Sequence, residues 1–222
     1  MYSYLILSYY FIACYLINTL YDYLHKNIGT LYPKFNNYDN NRKNYIIKNI
    51  IKSNILYTLS ILSLPLSIAY QYGNPEVNTI IRFSGMFYVA NDSMGLLKVE
   101  KLGPATTLHH IISTSIGLMV PMINFYDSST ARLLVIYTLS ASYAYNVNYY
   151  LGIRFLKERN ETVELKWNSF MIYLVLCICN FGYHGYWLYT NLYNLSSCNI
   201  AYYTIITPLI YDDYKLLSFL YN

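Results

Sequence analysis

Residues 79–125 read TIIRFSGMFYVANDSMGLLKVEKLGPATTLHHIISTSIGLMVPMINF. Two apolar runs, 79–97 and 105–125, flank a short connection from Lys98 to Pro104. Each run is long enough, as a helix, to cross a hydrocarbon layer of roughly 30 Å. The second carries hardly any charge on any face, so as a soluble helix it would have no side for water. Against this background stand Asp92 in the first run and His109 and His110 near the start of the second. An ionisable group inside a membrane costs on the order of several kcal/mol unless it has a partner or a task. Separated by one connection, the acid and the histidines are the natural partners for each other.

The same pattern extends along the chain. Hydrophobic residues make up 55% and charged residues 12%, the latter about half the share of a soluble domain. Further apolar runs occupy 2–21, 53–70, 131–151 and 167–190, and a weaker one at 199–220 is interrupted by Asp212 and Asp213. The fold class expected is all-α: a polytopic membrane bundle of six or seven transmembrane helices. Mean hydropathy is only +0.24 because 30 tyrosines and many asparagines lower it without adding charge. The first run lacks the basic leader and small-residue cleavage site of a signal peptide and is expected to be retained. The cysteines form no framework, since Cys177 and Cys179 point to different faces of one helix, and no metal site is expected.

Basic residues alternate between loops. Lys26, Lys34, Arg42, Lys43, Lys48 and Lys52 fall in 22–52, Lys98 and Lys101 in 98–104, and Arg154, Lys157, Arg159 and Lys166 in 152–166. The opposite loops hold only Arg82 and Arg132, beside Glu76 and Asp127. This positive-inside asymmetry puts the first, third and fifth loops in the cytosol. Residues 1–45 then form a first span and a basic cytosolic loop, and 46–220 the main bundle. The polar stretch 22–45 is expected to be a solvated linker that can touch anionic headgroups. Asn194, in Asn194-Leu195-Ser196, would face the lumen.

Helix rise sets the depth of the polar residues. Asp92 lies about six residues before Lys98, and His110 about six after Pro104, so both sit roughly 9 Å inside the cytosolic boundary. Asn146, about six residues from the end of the fifth run, reaches the same level. Adjacent histidines are about 100° apart, so one faces the interior and the other a neighbour; His110 is favoured as the inner one. His184, about 25 Å along the sixth span, belongs to a second stripe with Cys177, Asn180 and Trp187. The alternative for all of these is interhelical glue, each contact worth about 1 kcal/mol.

Three stretches resemble the TLC-domain family, which includes translocating-chain-associating proteins and ceramide synthases. They are Gly85-x-x-Tyr88-x-x-x-Asp92, then Leu108-His109-His110-Ile111, then the run from Ser140 through Asn146 to Leu151. The resemblance covers 82–190 by motif and 45–220 by span pattern. Departures are Leu139 where smaller members carry glutamate, Tyr143 in place of proline, and Asn148 in place of arginine. The second acidic cluster of the ceramide synthases is missing from 126–151. The closer likeness is to small members tied to membrane lipid homeostasis. The resemblance implies a TLC-like bundle in the endoplasmic reticulum or a related endomembrane, binding a membrane lipid or acyl chain. Asp92, His109, His110, Asn146, Tyr88 and His184 would surround that ligand. No cofactor and no nucleic-acid partner are expected. An acyl-CoA-dependent N-acyltransferase is the alternative, with His109 or His110 as general base and acyl-CoA as co-substrate. A trafficking or translocation adaptor is a further alternative.

Overall fold

A backbone removed from water satisfies its own N–H and C=O groups most simply as a helix. The computed structural model describes residues 2–222, and among these no strand forms. Eight helices follow one another: α1 (Tyr2–Leu31), α2 (Asn40–Gln71), α3 (Pro75–Lys98), α4 (Pro104–Met119), α5 (Ser129–Ser142), α6 (Tyr145–Ile153), α7 (Arg159–Thr190) and α8 (Ser197–Tyr221). Local chemistry sets their starts. The Asp39 carboxylate accepts the Arg42 N–H at 2.7 Å, and Ser128 Oγ accepts from Ala131 at 3.1 Å. Pro75 and Pro104 each occupy the first turn of a helix, where a missing N–H costs nothing.

Three helices are long and apolar enough to cross a membrane: α1 over Tyr4–Leu31, α2 and α7. Both α2 and α7 have 32 residues, about 48 Å of helix, so their polar first turns project well past an apolar layer. Outward-facing side chains fit such a layer: Phe11, Ile12 and Leu16 on α1, Ile61 and Leu64 on α2, and Val175 and Ile178 on α7 are all exposed. Apolar surface of this extent marks contact with lipid or another protein.

Several expectations need correcting. The stretch 22–45 is not a solvated linker. Helix α1 continues to Leu31, α2 begins at Asn40, and the turn between them buries Phe35 to 1% exposure. Lys48 and Lys52 are not loop residues either; both are buried on α2. The fourth run ends as a helix at Met119, because Pro121 has no N–H to continue it. The fifth run is not one helix: α5 stops at Ser142 and α6 starts at Tyr145. There the Ser142 hydroxyl bonds the Leu139 carbonyl at 2.7 Å, and the N–H groups of Tyr143 and Ala144 turn to carbonyls three residues back. A side-chain donor competing for the ladder bends a helix in this way. The weak run at 199–220 forms the complete helix α8.

The chain passes from end to end seven times, α5 and α6 together making one pass. One end gathers the basic connections. There Tyr38 donates to the Phe155 carbonyl at 2.8 Å, Lys34 pairs with Glu158, and Arg154 lies over the Phe219 ring. At the other end Arg82 donates to the Ile123 carbonyl at 3.0 Å, and Asn199 bonds Thr130 at 2.8 Å. Two glycines permit close approach. A Cβ on Gly117 of α4 would come within 2.3 Å of Val89 on α3, and one on Gly152 of α6 within 3.2 Å of the Ile46 carbonyl on α2. Helix α3 therefore sits deep between α1, α2 and α4, and carries Asp92 with it.

Candidate functional site: a polar chamber beside an apolar one

Asp92 is fully buried, so its charge must be met within the bundle. Lys52 Nζ from α2 donates to Oδ1 at 2.6 Å, and Ser113 Oγ from α4 donates to Oδ2 at 2.9 Å. His110 Nδ1 lies 3.0 Å from Oδ1, a contact not directed along the ring N–H. One carboxylate thus ties three helices together. A neighbouring residue repeats the device in neutral form: Ser93 Oγ accepts from the Tyr10 hydroxyl of α1 at 2.8 Å and lies 3.1 Å from Thr114 Oγ1 of α4.

His109, turned about a quarter-circle away, meets a different acid. Its Nδ1 lies 3.0 Å from Asp212 Oδ2 on α8, and Thr106 Oγ1 donates to Asp212 Oδ1 at 3.2 Å. The adjacent Asp213 is buried and accepts the Tyr173 hydroxyl at 2.5 Å. The two aspartates that interrupt the hydropathy of α8 therefore face inward.

These groups border a polar cavity of about 340 Å³ toward the basic end, whose lining includes Lys48, Lys52, His109, His110, Asp212 and Asp213. Helix α6 contributes Asn148, and Arg154 follows that helix. Lys48 is one turn before Lys52 and shares its face. The stem of Lys48 lies against Gly95, where any Cβ would approach its Cε to 3.2 Å. A second cavity of about 110 Å³ lies toward the opposite end, lined by apolar residues such as Leu66, Ile81, Val120, Phe125 and Ile206. Tyr88, His109, Tyr137 and Ala141 belong to both linings.

Of the expected site residues, Tyr88, His109 and His110 line the polar cavity. Asp92 stands behind it, engaged by Lys52. Asn146 does not line either cavity; its carbonyl accepts Ser169 Oγ at 3.0 Å, and Asn148 takes the inward position instead. His184 is also absent from both linings. Its ring nitrogens lie 2.7 Å from the Asn180 carbonyl and 2.8 Å from the Tyr202 hydroxyl, the environment of a packing residue. Sequence reasoning missed Lys48, Lys52, Asp212, Asp213 and Arg154. The signal for the aspartates was available, since the cost assigned to Asp92 applies equally to acids inside the last apolar run.

Comparison with protein-family models, with curated proteins and with solved structures gives no match. Among the described residues no three His, Cys, Asp or Glu side chains gather as a metal site.

Proposed function

We propose that the chain is a multi-pass membrane protein that binds a lipid or acyl-chain amphiphile inside its bundle, in the manner of the TLC-domain proteins of membrane lipid homeostasis. One observation carries the reading: an apolar cavity abuts a polar one, and Tyr88, His109 and Tyr137 border both. An amphiphile needs that division, with a dry channel for the chain and convergent polar groups for the head. The seven passes are membrane spans, with the basic end in the cytosol of the endoplasmic reticulum or a related endomembrane. The amino terminus is then lumenal and the carboxyl terminus cytosolic.

Mass spectrometry of the purified full chain tests this. A lipid is expected at a fixed ratio to protein, and Ser142→Trp, which fills the apolar cavity, should expel it. Protein that carries no lipid, or whose lipid is indifferent to that substitution, would defeat the proposal.

His109 favours a second reading, an acyl-CoA-dependent N-acyltransferase. Placed between the cavities with Asp212 beside its ring, this imidazole is positioned as a general base, whereas His110 reaches only the polar cavity. Incubation with acyl-CoA and a long-chain amine should release free CoA, and His109→Ala should abolish the release. Equal activity of that variant would exclude the mechanism.

A further inference from the structure

The polar cavity holds more positive charge than its own acids engage. Asp92 is occupied by Lys52, Asp212 accepts the Thr106 hydroxyl with His109 Nδ1 beside it at 3.0 Å but not hydrogen-bonded, and Asp213 accepts the Tyr173 hydroxyl. Lys48, only 4% exposed, has no hydrogen bond or ion pair among the described residues. Its contact is the Tyr45 ring, 5.8 Å from Nζ. The Arg154 guanidinium lies 4.7 Å from the Phe155 ring and 4.5 Å from the Phe219 ring, and its Nη1 is buried without a hydrogen-bond partner. Lys215, exposed at the carboxyl end of α8, completes the lining on the same side.

A buried cation without a counter-charge is among the costliest groups a fold can hold. Three cations without a carboxylate in ion-pair range, on one lining and graded from exposed to buried, describe an electrostatic funnel for an anion. Asp213 forms no ion pair within 4 Å, and a tyrosine hydroxyl already serves it.

Resting on the lipid-binding reading, we infer that the ligand of this site is an acidic amphiphile. Its phosphate or carboxylate head is held by Lys48 and Arg154, with Lys215 at the entrance and the alkyl chain in the apolar cavity. The planar guanidinium suits two-point contact with either oxyanion, and the ammonium adds a point charge.

The test uses the full chain, stripped of lipid in a neutral sugar detergent, with four probes of one chain length: dodecyl phosphate, dodecanoic acid, dodecanol and dodecyltrimethylammonium. Native mass spectrometry reads the occupancy. At least one acidic probe should saturate the site at a concentration roughly tenfold below the alcohol and the ammonium. A preference for phosphate points to a phospholipid-type head, and one for carboxylate to a free fatty acid. Lys48→Met should weaken the acidic probe by about tenfold and leave dodecanol unchanged, while Lys48→Arg retains binding. If Lys48→Met does not fold, the four-probe comparison on the unaltered chain still decides. Equal binding of all four probes, or tighter binding of the ammonium, overturns the acidic-head inference and leaves lipid binding standing. Binding of none removes the lipid reading itself.

Discussion

Asp92 on α3 and Asp212 on α8 each stand 3.0 Å from one of two adjacent histidines, but their surroundings differ. Asp92 is fully buried and met by a lysine, a serine and an imidazole drawn from α2 and α4. Asp212 is partly exposed, has one histidine and one threonine, and borders the polar cavity. The first arrangement consumes its hydrogen-bonding capacity in joining helices, while the second leaves capacity for a ligand. Both histidines border the polar cavity, but only His109 also reaches the apolar one, and only His110 stands beside the fully buried acid. The general lesson is that a costly polar residue in an apolar helix marks either a joint or a site. The number of its partners tells which.

The strongest way to break this contrast is at Lys52. Lys52→Met leaves a buried carboxylate without its cation and should cost about 3–5 kcal/mol, read as a lower midpoint of thermal unfolding in detergent. Combining it with Asp92→Leu should recover most of the loss, because an apolar pair no longer carries an uncompensated charge. Failure of the double variant to recover would mean that the knot contributes more than charge balance.

Next in size is Gly117→Val. The added side chain collides with Val89, forces α3 and α4 apart, and should cost about 1–3 kcal/mol on the same unfolding scale. It should also loosen the Ser113–Asp92 bond while leaving the Asp212 side comparatively intact.

Asp212→Asn sharpens the contrast from the other direction. The amide oxygen can still accept from Thr106 and only the contact with His109 loses its charge, so the substitution should change stability by about 1 kcal/mol, yet alter the amount of lipid carried by the purified chain. A large loss of stability with unchanged lipid would reverse the roles given to the two acids.

The smallest effect is expected at Lys34→Ala. The Glu158 carboxylate raises the pKa of the Lys34 ammonium, so the pair is intact at neutral pH and is lost only as pH climbs past the ordinary lysine range. Both groups are in solvent, where such pairs contribute little. Neither unfolding nor lipid content should change measurably.

Much of the fold was legible because hydrophobicity and helix geometry are local. The apolar runs located the helices, and the spacing of Asp92 from His109 and His110 put acid and imidazole at one depth. Legibility failed where a residue's role depended on a distant helix. Lys48 and Lys52 looked like loop cations because they precede an apolar run, and nothing nearby in the chain reveals that α3 lies across them. Asn146 was placed at the right depth, but Asn148, two residues on and on another face of α6, is the one that lines the cavity. His184 followed helical spacing with Cys177 and Asn180, yet Tyr202 from α8 took its free nitrogen and closed it off from the cavities.

The sequence by itself determined the helices, their apolar faces, the basic end, and the presence of charges that cannot stay unanswered in a dry interior. Those follow from the energetics of single segments in water and hydrocarbon. Only the tertiary structure decided which charge answers which. Partner choice is settled by side chains from different helices brought within about 3 Å, as where Gly117 lets α4 approach α3 closely.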